Sequence, residues 1–500
     1  MNNQTRSHEI IFAFGFLLIA LVGVGLTTIA PTSPDKLFIT ICLFFVGATL
    51  GLLFLAKSLE PKPVNWLTAD VLFTLSFCVI HFAYFVYWTF DLNENQGEIW
   101  YIRNANCPHT VCISLAMYLT AVNTFLFGFY FIRTRRFIPI INIQKPPQAV
   151  ERAWQRLGRL VIRLGFMGFL AFVMIVGPAR FFGVYSGTNN ISFVANIFFQ
   201  LGTVFLMAGM TIAMASRGRI FKQVGKKRRG SFGVGYLDML LIAMTIVAIG
   251  LHGDRSTLVI VFGAYIIAYS EFVKPYKFKT LAVASIVLVF VLGFIVTFRS
   301  AKTESYDFDP VTNINSALNN LGTSAVCGFV AVDYTDDEYA YGRMQVRQLL
   351  GIIPFGRRLF GVRDDIDNSS SMLLTLLIQG KVGKGVAGTG TSVFADLYFD
   401  FGFYGTCLVF LLVGSLAKYV ENKARTSTSI IWQVLLISLI TFLAVCSRYT
   451  FAGGMIRFVL YSGLYISFLC YVLSIPFRYR ISNTPTYSIQ YPEQRTPSQS

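Results

Sequence analysis

The chain has 500 residues, of which 54% are hydrophobic and only 13% are charged, and its mean hydropathy is +0.59. Soluble domains carry roughly 25% charged residues, so this chain has too little polar surface to cover itself in water. The composition therefore excludes a soluble protein and predicts one that uses the lipid bilayer as its solvent. The net charge of +17 would indicate nucleic-acid binding only if it were spread over the surface.

Apolar runs of membrane length recur along the chain and predict an all-α polytopic membrane protein with about twelve transmembrane helices. A large polar insert, residues 298–392, lies between the ninth and tenth of these spans. The predicted organisation is therefore spans in 1–297, the insert, spans in 393–476, and a disordered tail at 477–500. The predicted spans are residues 10–29, 36–56, 69–90, 110–132, 160–177, 192–215, 236–251, 256–271, 280–297, 393–417, 429–446 and 453–475.

Lysine and arginine are concentrated in the loops 133–159, 216–235, 274–279 and 418–425, which fall on one side of such a bundle. Short cytoplasmic loops carry this excess, so we expect these loops and both termini in the cytoplasm and 298–392 outside. Basic loops beside an anionic leaflet also account for the net charge without a nucleic-acid partner.

The insert contains three segments with helical patterns that are too short or too polar to cross a membrane. Residues 312–332 predict one helix, and Arg343–Leu350 predicts a short amphipathic helix. Residues 370–379 form an apolar stretch of the kind that lies in the interface or re-enters the bundle.

Arginines at the predicted outward ends of the spans are the first candidate binding groups. Arg255 lies in the first turn of a helix, where a cation opposes the helix dipole at a cost of roughly 0.3–1 kcal/mol. A helix N-terminus with an arginine is a place for a phosphate, and the alternative is a side chain that snorkels to the interface. Arg457 lies a turn into the last span, where an ionisable residue is a functional hypothesis by default.

Other arginines have stronger structural interpretations. Arg299 and Arg448 end their spans, where a cation suits the dipole. Arg343 and Arg347 share one face of the insert helix, which could be a solvated basic surface or an anion-binding one. We keep all four as candidates for binding pyrophosphate or glycan.

Three residues are candidate bases or contacts to a sugar hydroxyl. Asp396 is four residues before Asp400, so both carboxylates lie on one helix face near its start, a position the dipole also favours. His252 and Asp254 lie in a tight hairpin between two spans, where Asp254 could instead cap a helix.

No set of metal ligands has a convincing spacing. Cys107 and Cys112 could form a disulfide or remain free thiols.

Two motifs resemble those of a known family. The segment 388–405, GTGTSVFADLYFDFGFYG, and the segment 250–256, GLHGDRS, resemble the bacterial oligosaccharide repeat-unit polymerases, the Wzy-type O-antigen and capsule polymerases. The helix count and the late outward insert are similar as well. Many relatives carry Glu where this chain has Asp396.

The resemblance implies a metal-independent glycosyltransferase in the bacterial cytoplasmic membrane, with no cofactor. Its substrate would be oligosaccharide linked to undecaprenyl pyrophosphate, and its partners a flippase and a Wzz-type chain-length regulator. A ligase that transfers finished O-antigen, or a flippase or other transporter, is an alternative. A transporter would place ionisable residues near mid-membrane, whereas the sequence predicts arginines gathered at one face.

Overall fold

The structure, a computed structural model, describes residues 3–60, 63–90, 107–132, 148–181, 192–224, 233–252, 255–283, 310–335, 339–351, 359–361, 370–380, 390–427, 429–456, 459–469 and 471–472. Within these ranges the chain is helical and contains no strand. The helices are α1 (Asn3–Thr28), α2 (Lys36–Ser58), α3 (Ala69–Thr89), α4 (Val111–Phe131), α5 (Gln148–Val176), α6 (Pro178–Phe181), α7 (Phe193–Val224), α8 (Tyr236–His252), α9 (Arg255–Phe272), α10 (Pro310–Thr335), α11 (Arg343–Leu350), α12 (Ser370–Gln379), α13 (Val393–Thr426) and α14 (Ile430–Leu443).

Eight helical stretches in this described part are long and apolar enough to cross a membrane, which makes a polytopic membrane protein the class that the fold supports. The predicted span 280–297 lies outside the described residues from residue 284 onward. The eight stretches are His8–Thr28, Lys36–Ser58, Ala69–Val86, Pro108–Phe131, Gln148–Val176, Val194–Phe221, Val393–Thr426 and Phe451–Leu469.

Two predicted spans are shorter or less regular than the sequence indicates. The predicted span 429–446 is the 14-residue helix α14, about 21 Å long, which is less than the roughly 30 Å of bilayer hydrocarbon. A 3₁₀ turn (Cys446–Arg448) follows it, and the predicted span 453–475 begins with π-helical turns at Phe451–Ile456 and Val459–Tyr465. Within a membrane, irregular backbone is tolerated only where protein surrounds it.

The insert helices agree with their predictions: α11 has the predicted bounds, α12 covers 370–379, and α10 extends 312–332 by a few residues at each end. Three spans, α5, α7 and α13, instead run well past their predicted ends into basic sequence. Hydropathy detects only the apolar part of a helix, whereas backbone hydrogen bonds continue through good helix formers such as Arg, Lys and Gln.

Ion pairs gather at the end of the bundle where α2, α4 and α13 finish, which we call the basic end. The opposite end, where α4 begins, is the insert end. At the basic end Lys57 is buried against Asp70 at 3.2 Å, and Tyr130 also donates to Asp70. Further pairs there are Arg219–Glu151, Lys418–Glu9, Arg425–Glu271 and Arg163–Asp238. The helix ends predicted to be cytoplasmic therefore meet in space.

Glycines let two helix pairs approach closely. A Cβ on Gly128 of α4 would collide with the Leu411 carbonyl oxygen of α13, and one on Gly414 with the Phe125 carbonyl oxygen. A Cβ on Gly202 of α7 would lie 2.8 Å from the Phe169 nitrogen of α5. Small residues at helix contacts are typical of membrane proteins, where packing rather than the hydrophobic effect joins the helices.

Candidate functional site

The helix α13 has two parts. Ser392 begins it by accepting a hydrogen bond from the Ala395 N–H at 3.1 Å, and Gly402 interrupts it with φ 63° and ψ −167°. Before this break, residues 393–400 are all buried, as expected for a helix surrounded by protein. After it, an exposed stripe with a four-residue period, as expected of a face toward lipid, is formed by Tyr404, Leu408, Leu412 and Leu416.

The buried first part carries Asp396, whose carboxylate accepts four hydrogen bonds. Ser370 Oγ and Gln348 Nε2 donate to Oδ1 at 2.5 and 3.0 Å, and Gln345 Nε2 and the Phe451 N–H each donate to Oδ2 at 2.8 Å. The carboxylate has no exposed surface. The donors come from α11, from α12 and from the chain after α14, so one side chain joins three segments.

Two glutamines of α11 extend this network to the backbone. The Oε1 of Gln345 accepts from the Ala452 N–H at 3.1 Å, and the Oε1 of Gln348 accepts from the Gly453 N–H at 2.9 Å. These contacts fix which end of each amide is the donor toward Asp396. The N–H groups that open the irregular 451–456 segment are therefore satisfied by side chains rather than by water.

Asp400, one turn further along α13, holds the start of α11. Its carboxylate accepts from the Met344 and Gln345 N–H groups at 3.0 and 2.9 Å. The residue at the N-cap of α11 is Gly342, which has no side chain to offer. A carboxylate from another helix thus supplies the cap and complements the helix dipole.

The network lies inside the bundle rather than at its surface. Phe394 packs edge-to-face on Tyr118 of α4, with ring centroids 4.7 Å apart, and Ser447 is 3.2 Å from Ser76 of α3. A small apolar crevice beside the site is lined by Val393, Leu397, Phe451 and the rings of Phe73 and Phe125. Asp396 is therefore enclosed by other helices, because the first part of α13 lies within the bundle.

Arg448 lies in the turn after α14, and its side chain is exposed in part. Its Nε donates to Ser324 Oγ of α10 at 3.0 Å. Desolvation by the surrounding protein lowers the pKa of the guanidinium from its ordinary value. The sequence assigned Arg448 to a helix end at the interface; the structure places it in the turn just after α14 and adds a hydrogen bond to the insert helix α10.

The other candidate arginines divide into two groups. Arg343 is exposed and Arg347 is partly exposed, and both lie on the face of α11 turned away from Asp396. Arg255 is the first residue of α9, which packs against α7 and α14. Arg299 and Arg457 lie outside the described residues, as does Asp254, so their roles stay predictions.

His252, at the end of α8, packs face to face on Phe181, with ring centroids 4.4 Å apart. Its Nδ1 lies 2.9 Å from the Phe181 carbonyl oxygen, which can only accept. Nδ1 therefore carries the proton, and in the neutral ring Nε2 is the acceptor nitrogen that a general base needs.

The cysteines and possible metal ligands form no further site among the described residues. Cys107 and Cys112 are free and buried, and burial raises the pKa of the Cys107 thiol to about 12. No group of three or more His, Cys, Asp or Glu side chains in the described ranges is arranged to hold a metal ion.

Sequence reasoning found Asp396 and Asp400 but missed the residues that bind them, chiefly Gln345, Gln348 and Ser370. A signal was present, because Gln345 and Gln348 are three apart on the face of α11 that Arg343 and Arg347 leave free.

Comparison with protein-family models, with curated proteins and with solved structures finds no match for this chain. The fold and site thus define a class, a helical membrane protein whose polar insert is joined to broken helices by a buried carboxylate network.

Proposed function

We propose that the protein is a glycosyltransferase that polymerises undecaprenyl-pyrophosphate-linked oligosaccharide repeat units. It acts in the bacterial cytoplasmic membrane with both termini in the cytoplasm and its site facing outside. The resemblance of residues 250–256 and 388–405 to repeat-unit polymerases supports the proposal, and so does the membrane-protein fold.

The observation that carries the proposal is the fixed position of α11. Asp400 binds its first turn, and Asp396 binds Gln345 and Gln348, so the helix has little freedom to rotate or slide. Its opposite face presents Arg343 and Arg347. Donors held in place before the reaction stabilise developing charge far better than mobile ones, because they pay no reorganisation cost. A departing lipid pyrophosphate is such a charge.

In the proposed reaction an acceptor hydroxyl oxygen bonds to the anomeric carbon of the growing chain. The bond from that carbon to the pyrophosphate oxygen breaks, and undecaprenyl pyrophosphate leaves with the electron pair. The hydroxyl proton passes to a base, for which His252 and Asp254 are the candidates. Asp396, enclosed by donors, serves as a positioning residue. Arg255, Arg299, Arg448 and Arg457 remain candidates for the pyrophosphate or glycan.

A double variant, Arg343→Ala with Arg347→Ala, tests the proposal. The purified protein in nanodiscs would receive lipid-linked repeat units, and polymer length and released undecaprenyl pyrophosphate would be measured. We expect transfer to fall by about 100-fold or more, the usual loss when preorganised donors are removed. The matched control, Lys277→Ala with Lys279→Ala, removes the same charge at the basic end and should polymerise normally.

Other outcomes of this assay would contradict the proposal. If lipid A core is added to the assay and the glycan is transferred to it but not to another repeat unit, the protein is a ligase. Unchanged polymerisation in the double variant would remove α11 from the reaction.

A second candidate, a transporter of the same lipid-linked oligosaccharide, is favoured by one observation. α13 breaks at Gly402, and the chain after α14 is irregular beside a buried polar network, as in the discontinuous helices that form transporter sites. Movement of the substrate between leaflets without any covalent product would support this candidate.

A further inference from the structure

The turn that leads into α11 has an unusual backbone. Tyr341 has φ 48°, the only positive φ of a non-glycine residue in the described ranges, and Gly342 follows with φ 83°. The Arg343 N–H donates to the Ala340 carbonyl at 3.0 Å, which closes the turn. Two consecutive positive φ values define a type I′ turn, whose first central position favours Asn, Asp or Gly.

The surrounding structure holds this turn from both sides. The Ala340 N–H donates to the Phe399 carbonyl of α13 at 2.8 Å, and Asp400 binds the first N–H groups of α11. Tyr339, just before the turn, packs its ring against Gly402, where a Cβ would lie 2.7 Å from that ring. A residue stays in a sparsely populated conformation only when its neighbours determine it in this way, and such positions cluster at functional sites.

The side chain at this position does little for the fold. Tyr341 is 83% exposed, and within the described ranges its ring pairs with that of Tyr339, edge-on at 6.5 Å. Asn would suit the backbone better, so neither turn geometry nor packing explains a tyrosine here. Tyr341 instead places an exposed aromatic ring on a turn that α13 holds in position, two residues before the exposed Arg343.

We infer that Tyr341 is a carbohydrate-binding residue whose ring stacks on a sugar of the lipid-linked unit while Arg343 and Arg347 bind its pyrophosphate. This inference rests on the proposed function and names the site for its sugar. The C–H groups of a sugar face are weakly positive and pack against the negative face of an aromatic ring. Tyrosine offers that face with few rotatable bonds, so little entropy is lost on binding.

The test compares Tyr341→Asn with Tyr341→Phe in the full-length protein in nanodiscs. The probe is the repeat-unit oligosaccharide released from its lipid, and its dissociation constant and the apparent unfolding temperature are measured for each variant. We expect Tyr341→Asn to bind the oligosaccharide about three- to tenfold more weakly, the usual range for a lost aromatic contact. The unfolding temperature of Tyr341→Asn should be equal to or higher than that of the wild type, because Asn adopts the positive φ at this position more readily than Tyr. Tyr341→Phe should bind like the wild type.

Two results would overturn the inference. Wild-type oligosaccharide binding by Tyr341→Asn would exclude a sugar contact. Weaker binding that accompanies a lower unfolding temperature would indicate a structural role. If wild-type protein binds the oligosaccharide through Tyr341 but forms no polymer, the proposed function fails and the sugar contact stands.

Discussion

At the residue scale, Asp396 shows how a bundle interior can hold a carboxylate. Transferring an ionised group out of water is very costly unless hydrogen bonds replace its hydration. Here two amides, one hydroxyl and one backbone N–H take that place. Without the carboxylate, Gln345 Nε2 and Ser370 Oγ would keep only their second partners, the Asp396 carbonyl and Thr391 Oγ1. The Gln348 Nε2 and Phe451 N–H donors would lose the acceptor described here, so the network is favourable only when it is complete.

The first residue-scale prediction is therefore that Asp396→Ala destabilises the protein strongly. It removes the acceptor of four donors, of which Gln345 Nε2 and Ser370 Oγ keep a second partner in the Asp396 carbonyl and Thr391 Oγ1. Each donor left unsatisfied costs about 1–3 kcal/mol, so we expect a loss of about 2 kcal/mol or more. Asp396→Asn should also destabilise, because its NH₂ group would face other donors. The measurement is the apparent unfolding temperature in detergent.

Asp333→Ala is the matched control for this prediction. Asp333 is 37% exposed and pairs with His109 at 2.6 Å, and exposed pairs contribute about 1 kcal/mol or less. Equal destabilisation by Asp333→Ala and Asp396→Ala would mean that the buried network contributes no more to stability than an exposed ion pair.

At the element scale, α13 combines two roles that separate at Gly402. The part before the break is buried and carries the two aspartates, and the part after it is exposed along one stripe. Gly402 permits the break because φ 63° with ψ −167° is a conformation open essentially to glycine. The second part is held against α4 through Gly128 and Gly414.

The close approach of α4 and α13 gives a prediction at this scale. Gly128→Ala places a Cβ on the Leu411 carbonyl oxygen and should push the helices apart, at a cost of about 1–3 kcal/mol. The apparent unfolding temperature should fall accordingly.

Gly51→Ala is the control for this substitution. A Cβ there meets nothing within 4 Å, and alanine is the better helix former. A Gly128→Ala protein as stable as Gly51→Ala would show that the helices are not in direct contact.

At the scale of the whole molecule, charge is distributed unevenly between the two ends. The basic end holds ion pairs that join helices distant in sequence, such as Lys418 with Glu9 and Arg425 with Glu271. The insert end holds α10, which has no arginine, and α11, whose two arginines lie on the face turned away from the network. This asymmetry agrees with the orientation expected from the loops, which itself stays a prediction.

Cysteine labelling tests that orientation in the full-length protein. A membrane-impermeant maleimide should label Leu359→Cys, which replaces an exposed insert residue, in intact spheroplasts. It should label Thr426→Cys, at the basic end, only after permeabilisation. Wild-type protein is the background control, since its described thiols are buried or half-buried. The reverse pattern would overturn the predicted topology and, with it, an outward-facing site.

The sequence by itself determined the class of protein and most helices. Residue hydropathy and helical period act locally, so α1 to α4, the bounds of α11 and the shared face of Asp396 and Asp400 were all predictable. The charge of the loops likewise predicted which helix ends would meet. None of these inferences requires knowing which segments touch.

Only the tertiary structure decided what those residues do together. No local signal shows that α13 starts inside the bundle, that Gln345 and Gln348 bind Asp396, or that Arg448 bonds to Ser324, because their partners lie some 50 to more than 120 positions away in sequence. Hydrogen bonds between distant segments depend on packing geometry, which hydropathy does not encode. The positive φ of Tyr341 is equally a consequence of contacts with α13, since tyrosine by itself disfavours it.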